Sequence, residues 1–312
     1  MTYFFKRLLQ ILGQVLAIVL PLMLLIGIFK QKDAIYTPKR YLFEQHKQEV
    51  ECIILGNSHS NWGIIPGLFP CKTINLGEVG KPIDVDIEMI EKNIGQLPHL
   101  KYVIIPVDYF TFYFRGMNES SAIKYYHHWN LHSGSVNGFY LRKYHIFTCG
   151  FSLFETVKKY SNDSLLGYFP QYAQFSRLTK KEKQADCKDR IRKWDLYLNG
   201  SLDSQYLYNR LNSVTTLLQS KKVTPIFVTL PVTQEFYQYF NPVFIAGNAR
   251  LLQKVIAAGN CKYLNLQASA LFNQDSLFND PDHLNNNGAI QATTLIKNFL
   301  TDSRQPAQLS GF

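Results

Sequence analysis

The sequence has few cysteines, and none is spaced for metal binding. Its 312 residues contain five cysteines, and no two of them form a CxxC pair. Because structural zinc sites use such pairs, no zinc site is predicted. The number is odd, so the five cannot all pair within one chain, and one disulfide is compatible with a domain outside the cytoplasm. Cys52 falls in a predicted strand and is interpreted as a small buried apolar residue.

Acidic residues are scarce relative to basic ones. The chain has 23 Asp and Glu against 33 Lys and Arg, which gives a formal net charge of +10. The basic residues are scattered in short groups and no nucleic-acid motif accompanies them, so a nucleic-acid partner is not predicted. Attraction to anionic lipid or to an acidic cell-wall polymer is the simpler interpretation. A merely solvated basic face is the alternative.

One apolar run is long enough to cross a membrane. Residues Leu8 to Phe29 are almost wholly apolar, and about 22 such residues can cross a hydrocarbon core of roughly 30 Å. Lys6 and Arg7 precede the run, and no small-residue cleavage site follows it. Residues 1–30 are therefore predicted to be an uncleaved transmembrane signal anchor, with the membrane as a partner. A buried core helix is the alternative.

The region from 51 to 300 alternates between short apolar segments and segments with helical spacing. A hydrophobic content of 46% excludes a mostly disordered chain. This alternation predicts an α/β domain with a parallel sheet and right-handed crossovers. The predicted strands are 51–55, 73–77, 102–107, 225–231 and 262–266. The predicted helices are 83–94, 206–218, 243–258 and 286–300.

Residues 111–200 break this alternation. They are rich in Tyr, Phe, His and Lys without a clear period. They are predicted to form a large insertion after the third strand, above the strand ends, where it could form a substrate groove. Its aromatic residues favour core packing over a sugar-binding platform. Helical pieces are expected around 121–130, 150–160 and 176–190.

Three shorter features complete the domain prediction. Residues 31–50 are interpreted as a polar stalk, and 301–312 as a loose tail. A histidine cluster in the insertion could ligate a metal, but no acidic residues flank it, so a solvated or groove-lining patch is favoured and no metal is predicted. The cluster consists of His127, His128 and His132.

Two distant stretches carry the residue types of nucleophilic catalysis. Residues 53–60 read Ile-Ile-Leu-Gly-Asn-Ser-His-Ser, a strand and tight turn that would present Ser58 at the carboxyl edge of the sheet. Asp280 precedes His283 by three residues. A serine needs a base, and the base needs an acceptor that holds its tautomer, so these three are predicted as nucleophile, orienting acid and base. An ordinary turn serine is the alternative.

Two neighbours of these residues have their own interpretations. His59 directly follows the predicted nucleophile and is expected to shape the pocket wall rather than to act as a base. Asp282 competes with Asp280 for the orienting role, but its position next to His283 makes the geometry harder.

The same residues carry a resemblance to a known family. Residues 56–60 resemble the first block of the SGNH (GDSL-type) hydrolase superfamily, and residues 280–285, Asp-Pro-Asp-His-Leu-Asn, resemble its last block. Gly77 matches the second-block glycine. The resemblance spans 51–112 and 203–300 and leaves out the insertion.

This resemblance implies a three-layer α/β/α fold with a five-stranded parallel sheet, and ester hydrolysis or acyl transfer without a cofactor. Ser58 would attack the acyl carbon, His283 would take and return the proton, and Asp280 would orient the imidazole. The amides of Ser58 and Gly77 would stabilise the developing oxyanion. One oxyanion donor is typically worth roughly 3 kcal/mol of barrier.

One position departs from the family pattern. The third block usually carries an asparagine whose side chain also donates to the oxyanion, whereas the nearest match here is Asp108. Because an ionised carboxylate repels an oxyanion, Asp108 would have to be protonated, point elsewhere or be replaced by another donor such as Asn57 or Asn61. Otherwise the site is weak or inactive.

The anchor, the altered third block and the insertion are similar to membrane-tethered SGNH-like proteins of bacterial cell-envelope pathways. These include proteins of lipoteichoic-acid D-alanylation and exopolysaccharide O-acetylation. The resemblance implies a single-pass membrane protein with its domain outside, although the basic residues on either side of the anchor favour the opposite orientation by count. Two functions stay open. One is an esterase or acyltransferase acting on an acylated glycan or cell-envelope polymer. The other is a scaffold that binds such a polymer, or other envelope-assembly proteins, without turnover.

Overall fold

The computed structural model describes residues 2–30, 36–114, 125–126, 129–132, 165–198, 204–259, 261–267 and 269–301. The strands in this part of the chain are β1 (Cys52–Ile54), β2 (Thr73–Asn75), β3 (Tyr102–Pro106), β4 (Thr224–Thr229) and β5 (Lys262–Asn265). The α-helices are α1 (Thr2–Lys30), α2 (Tyr36–His46), α3 (Ser58–Gly63), α4 (Ile83–Asn93), α5 (Lys180–Leu198), α6 (Ser204–Ser220), α7 (Gln234–Tyr237), α8 (Pro242–Ala258) and α9 (Asn286–Thr301).

The five strands form one parallel sheet in the order β2-β1-β3-β4-β5. This is the order of a flavodoxin-like doubly wound sheet. The winding reverses between β1 and β3, and a crevice opens beyond the carboxyl ends of the strands at such a reversal. The loops that follow β1 and β3 are therefore placed at the crevice.

Both faces of the sheet are buried. Ile53 and Val103 pack into a core shared with α2, α4, α6 and α8. Ile54 and Ile104 point the other way, into a core shared with α5, α7 and α9. Because successive strand residues face opposite sides, two covered faces require strands that are apolar throughout, and all three residues of β1 are buried. The predicted α/β/α fold with a five-stranded parallel sheet is confirmed.

The strands occupy their predicted places with slightly different ends. The first three begin within one residue of the prediction and end one or two residues earlier, and β4 is shifted toward the N-terminus by one or two residues. The predicted helices 83–94, 206–218, 243–258 and 286–300 correspond to α4, α6, α8 and α9. Short buried strands bounded by glycine or proline and long amphipathic helices gave a clear sequence signal.

The N-terminal region contains one long helix and one short packed helix. Within α1, residues Tyr3–Leu22 are exposed and are long and apolar enough to span a membrane. The predicted stalk differs from the structure after Tyr36, because α2 contributes Leu42 and Phe43 to the core at 5% and 1% exposure. This part of the segment packs on the domain.

The described part of the insertion contains α5, which begins at Lys180 and continues beyond the predicted end at residue 190. The pieces expected around 121–130 and 150–160 lie largely outside the described residues. The insertion's aromatic residues are divided, since Phe175 is fully buried and Tyr172 is 75% exposed.

The predicted histidine cluster is only partly visible. His127 and His128, like the tail from 302, lie outside the described residues. The ring of His132 lies 2.9 Å from Lys92 Nζ and 3.6 Å from Glu88. This histidine therefore has charged neighbours on α4 that were not apparent from the local sequence.

Candidate active site

The turn after β1 presents Ser58 at the carboxyl edge of the sheet. Gly56 has φ of +104°, a conformation that favours glycine, and a Cβ there would lie 2.8 Å from Ser60 Oγ. The Asn57 side chain then accepts a hydrogen bond of 2.9 Å from the His59 N–H and caps α3. Ser58 is the first residue of that helix, and it is partly exposed.

The loop before α9 brings a histidine to this serine. His283 Nε2 lies 2.8 Å from Ser58 Oγ, although the two residues are 225 positions apart. On the other side of the ring, Nδ1 lies 2.9 Å from Asp280 Oδ1. The Asp280 carboxylate also accepts the His283 backbone N–H at 3.0 Å, which fixes the spacing of three residues between acid and base. The structure thus brings the predicted nucleophile, base and acid together within hydrogen-bond reach.

The second aspartate of this loop has a different environment. Asp282 Oδ1 also lies 3.0 Å from His283 Nδ1, but of the two aspartates it is Asp280 whose contact with that nitrogen has hydrogen-bond geometry. Asp282 is 2% exposed, and its Oδ1 lies 2.6 Å from a guanidinium nitrogen of Arg190. The geometry therefore favours Asp280 as the residue that orients the ring.

The charges around His283 keep its ring basic. Burial by itself would lower the pKa of His283, but the Asp282 and Asp280 carboxylates outweigh this and raise it above its usual value. Burial would raise the pKa of Asp282, yet His283, His59 and Arg190 hold it well below its usual range. Asp282 is therefore ionised near neutral pH, and His283 is a stronger base than an isolated imidazole.

The Asp108 carboxylate, at the third-block position, is bound by the residues on either side of Ser58. Asp108 is 5% exposed, and one of its oxygens lies 2.7 Å from His59 Nδ1. Its other oxygen accepts a hydrogen bond of 2.6 Å from Asn57 Nδ2. Of the alternatives that the sequence left open for Asp108, the structure shows the carboxylate directed at other partners.

His59 lies between two carboxylates. Its Nε2 is 3.6 Å from Asp282, opposite the Asp108 contact. Burial would lower the pKa of His59, but Asp108 and Asp282 together raise it to about 10. The ring is therefore an imidazolium near neutral pH, with both nitrogens directed at anions.

The side chains and the glycine amide predicted to stabilise an oxyanion are already hydrogen-bonded within the protein. The Gly77 N–H donates to Asn75 Oδ1 at 2.8 Å, and the Asn57 amide group donates to Asp108. Asn61 Oδ1 accepts a hydrogen bond of 2.9 Å from the buried Lys39. The Gly77 N–H and the Asn57 Nδ2 group therefore already have acceptors within the protein.

Gly77 and Ser58 have different roles in this structure. A Cβ on Gly77 would lie 2.3 Å from Ser60 Oγ, so glycine is required there for packing. The Ser58 N–H belongs to the first turn of α3, where N–H groups have no partner within the helix. The Ser58 amide is therefore the predicted oxyanion donor that best fits this structure.

Two residues near the site gave little or no sequence signal. Arg190 comes from α5 in the insertion, and its second guanidinium nitrogen lies 3.4 Å from Asp280. Its local sequence is a charged run without a distinctive pattern, and only the tertiary fold brings it to Asp280 and Asp282. The Trp62 ring lies edge-on to His283 with centroids 4.4 Å apart. Its position four residues after Ser58 could have indicated a shared helix face.

One group of side chains has the composition of a metal site. Ligand atoms of His59, Asp282 and His283 lie within 4.8 Å of one another. However, the Arg190 guanidinium already places a positive charge at Asp282, and each imidazole already has a partner on both nitrogens. We therefore derive no chemical step through a metal ion.

A cavity of about 90 Å³ lies at the carboxyl ends of β3, β4 and β5. His59 and Asp108 form part of its wall, whereas neither Ser58 nor His283 lines it. The remaining wall is mainly apolar and aromatic, with Tyr109, Tyr237, Phe240 and Tyr263 among its members. The cavity therefore adjoins the His59–Asp108 pair and is separate from the serine.

Comparisons with known proteins add the following. No protein-family model and no curated protein matches the chain. A solved structure described as a platelet activating factor from Streptococcus pneumonia is 12% identical, with a TM-score of 0.45; the alignment covers 91% of this chain and 99% of the other. A GDSL-like lipase from Bacteroides thetaiotaomicron VPI-5482 is 11% identical, with a TM-score of 0.41 and coverage of 83% and 95% respectively. The chain is similar to these proteins only distantly, and its fold assignment rests on its own strand order.

Proposed function

We propose that this protein is a membrane-anchored SGNH-type serine esterase or O-acyltransferase that acts on an acylated cell-envelope polysaccharide or a related polymer. The observation that carries the proposal is the distance of 2.8 Å between His283 Nε2 and Ser58 Oγ, with Asp280 behind Nδ1. A hydroxyl, an imidazole and a carboxylate in this order are the components of a serine nucleophile activated by a general base.

The first half-reaction begins with the proton on Ser58 Oγ. His283 Nε2 takes this proton as Oγ bonds to the acyl carbon, and Asp280 holds the other ring proton on Nδ1. The oxyanion that forms lies near the Ser58 N–H, which is available at the start of α3. When the tetrahedral intermediate collapses, the carbon–oxygen bond to the leaving alcohol breaks and His283 gives that oxygen the proton.

The second half-reaction repeats these steps with a different nucleophile. A water molecule or a sugar hydroxyl gives its proton to His283 and attacks the acyl-serine, and Ser58 leaves with the proton restored. Water makes the protein an esterase, and a sugar hydroxyl makes it an acyltransferase. We expect the indole of Trp62, which lies edge-on to His283, to pack on an incoming acceptor.

Two further features support the membrane and polymer parts of the proposal. Residues Tyr3–Leu22 have the length and composition of a membrane span. The net charge of +10 favours attraction to an anionic lipid surface or an acidic polymer. Both features are compatible with a domain held near an envelope substrate.

A non-catalytic scaffold with this fold is the second candidate. Two predicted oxyanion donors, the Gly77 N–H and the Asn57 side-chain amide, are hydrogen-bonded within the protein, and an aspartate stands where the family has asparagine. Such a protein would bind a polymer or an assembly partner without turnover.

Hydrolysis of p-nitrophenyl acetate by the full chain in detergent micelles separates the two candidates. We expect turnover by the wild-type protein, covalent labelling by a fluorophosphonate, and loss of both in Ser58→Ala. Ser220→Ala is the matched control, because Ser220 lies on the exposed end of α6 and bonds only to the Leu217 carbonyl. Absence of turnover and labelling in every protein would support the scaffold.

A further inference from the structure

We propose that His59 is a positioning residue: as an imidazolium held between Asp108 and Asp282, it neutralises the carboxylate that replaces the third-block asparagine and fixes the turn that carries Ser58. This inference rests on the proposed function and assigns a role to a residue pair that the Ser58, His283 and Asp280 chemistry does not use. It also explains how an acid can stand at this position without opposing the reaction.

The contacts form one continuous chain from β3 to the base. Asp108, directly after β3, bonds to His59 Nδ1 at 2.7 Å and accepts from Asn57 at 2.6 Å. His59 Nε2 lies 3.6 Å from Asp282. Asp282 in turn lies 3.0 Å from His283 Nδ1. The residues on either side of Ser58 are thus both tied to the same carboxylate.

Burial makes the charges of His59, Asp108 and Asp282 depend on one another. The side chains of His59 and Asp108 are each 5% exposed, and that of Asp282 is 2% exposed. A buried carboxylate without a partner charge is strongly unfavourable, so a neighbouring positive charge is needed for ionised Asp108 and Asp282 to persist. His59 faces Asp108 from β3, Asp282 and His283 from the loop before α9, and the uncharged ring of Phe110. Arg190 reaches Asp282 from α5 but does not contact Asp108.

This arrangement also separates the two histidines by role. Both His59 nitrogens are directed at carboxylates, so the ring has no free nitrogen with which to accept a proton from Ser58. The His59 and His283 rings are edge-to-face with centroids 5.0 Å apart, and the positive charge of His59 is balanced by its own two acids. His283 is therefore the residue that exchanges the proton, and His59 supports the geometry around it.

A double-mutant cycle measures this role in the full chain. We expect His59→Gln to lower kcat for p-nitrophenyl acetate roughly 10²-fold with little change in KM, because it leaves the Asp108 charge uncompensated beside the nucleophile turn. Asp108→Asn should cost less. The double variant H59Q/D108N should recover at least about tenfold of the H59Q loss, since a neutral amide pair removes the buried charge.

The control is a histidine–carboxylate pair on the surface. His46 Nδ1 lies 2.5 Å from Glu49, whose side chain is 58% exposed, so His46→Gln should leave kcat and KM unchanged. If Ser58→Ala is inactive and H59Q equals wild type, the positioning role is wrong and the proposed function stands. If Ser58→Ala retains wild-type turnover, the proposed function is wrong and this role falls with it. A purely structural effect of H59Q would persist in the double variant and would also overturn the inference.

A spectroscopic measurement covers the case in which H59Q does not fold. The His59 ring nitrogens of the wild-type chain can be followed by NMR over pH, with the resonance assigned by its absence in H59Q/D108N. We expect an imidazolium up to about pH 9, since Asp108 and Asp282 raise the pKa of His59 to about 10. A ring that titrates near 6.5, the ordinary histidine value, would overturn the proposal.

Discussion

His283 and His59 are both buried imidazoles beside Ser58, yet their surroundings give them opposite chemistry. His283 has the serine hydroxyl on one nitrogen and a carboxylate on the other. His59 has a carboxylate on each side. A neutral hydroxyl partner leaves Nε2 free to gain a proton during a reaction, whereas two anionic partners hold the proton in place. Both rings are buried and both have a carboxylate on Nδ1, so the partner of Nε2 decides whether the histidine is a base or a fixed cation.

Removing the base tests the first half of this comparison and has the largest expected effect. In His283→Gln no imidazole can take the Ser58 proton, so kcat should fall by about 10³-fold or more, as it does in serine proteases without their histidine. The measurement is steady-state ester hydrolysis beside Ser58→Ala. A His283→Gln protein with more than a tenth of wild-type kcat would remove His283 from the mechanism.

The turn that carries Ser58 and His59 can be broken at Gly56. Gly56→Ala puts a Cβ within 3 Å of Ser60 Oγ and of the Pro106 ring at a positive φ. We expect a loss of about 2–4 kcal/mol in the free energy of unfolding, from strain and overpacking together. Urea denaturation followed by circular dichroism measures the loss. Gly67→Ala is the control, because no atom lies within 4 Å of a Cβ there.

Asp282 contacts both histidines, and its charge influences the pH at which His283 becomes neutral. Asp282 raises the pKa of His283, so Asp282→Asn should lower that pKa. Because His283 must be neutral to accept a proton, the acidic limb of kcat/KM should move to lower pH. The pH profile of ester hydrolysis checks the direction. An unchanged limb would show that Asp282 has no electrostatic influence on the base.

The guanidinium of Arg190 should have the opposite and smallest effect. It is partly exposed, at 26% for the side chain, so solvent screens its charge. Arg190→Gln removes a positive charge from beside Asp280 and Asp282, which should raise the pKa of His283 and move the acidic limb to higher pH by less than one unit. Arg190→Lys should preserve the wild-type limb. A shift to lower pH in R190Q would contradict the electrostatic assignment.

The fold was well predicted because its signals are local. Buried strands such as 102–107 are apolar throughout and are bounded by turns, and α4, α6, α8 and α9 show clear helical spacing. The ends differed by one or two residues, since hydrogen bonding across strands decides where pairing stops. The predicted stalk was the least accurate part, because its polar composition hid the contribution of Leu42 and Phe43 to the core.

One part of the candidate site was predictable because the spacing of two residues along the chain determines how they contact each other. The three residues from Asp280 to His283 are bridged by a backbone and a side-chain hydrogen bond, so this pair can be recognised locally. The proposed oxyanion donors were less accessible to sequence reasoning. The Gly77 amide donates to Asn75, and the Asn57 side chain donates to Asp108. The positions of these two acceptors follow from strand register and loop packing.

The sequence by itself determined the parallel α/β sheet, the apolar N-terminal helix and the three candidate residues Ser58, Asp280 and His283. Only the tertiary structure decided that Asp108 pairs with His59, that Arg190 reaches the acids from α5, and that His59 lies between two carboxylates whereas His283 contacts the Ser58 hydroxyl. The physical reason is that periodicity and spacing are properties of neighbouring residues. The charge state of a buried group depends instead on partners that folding brings from distant parts of the chain.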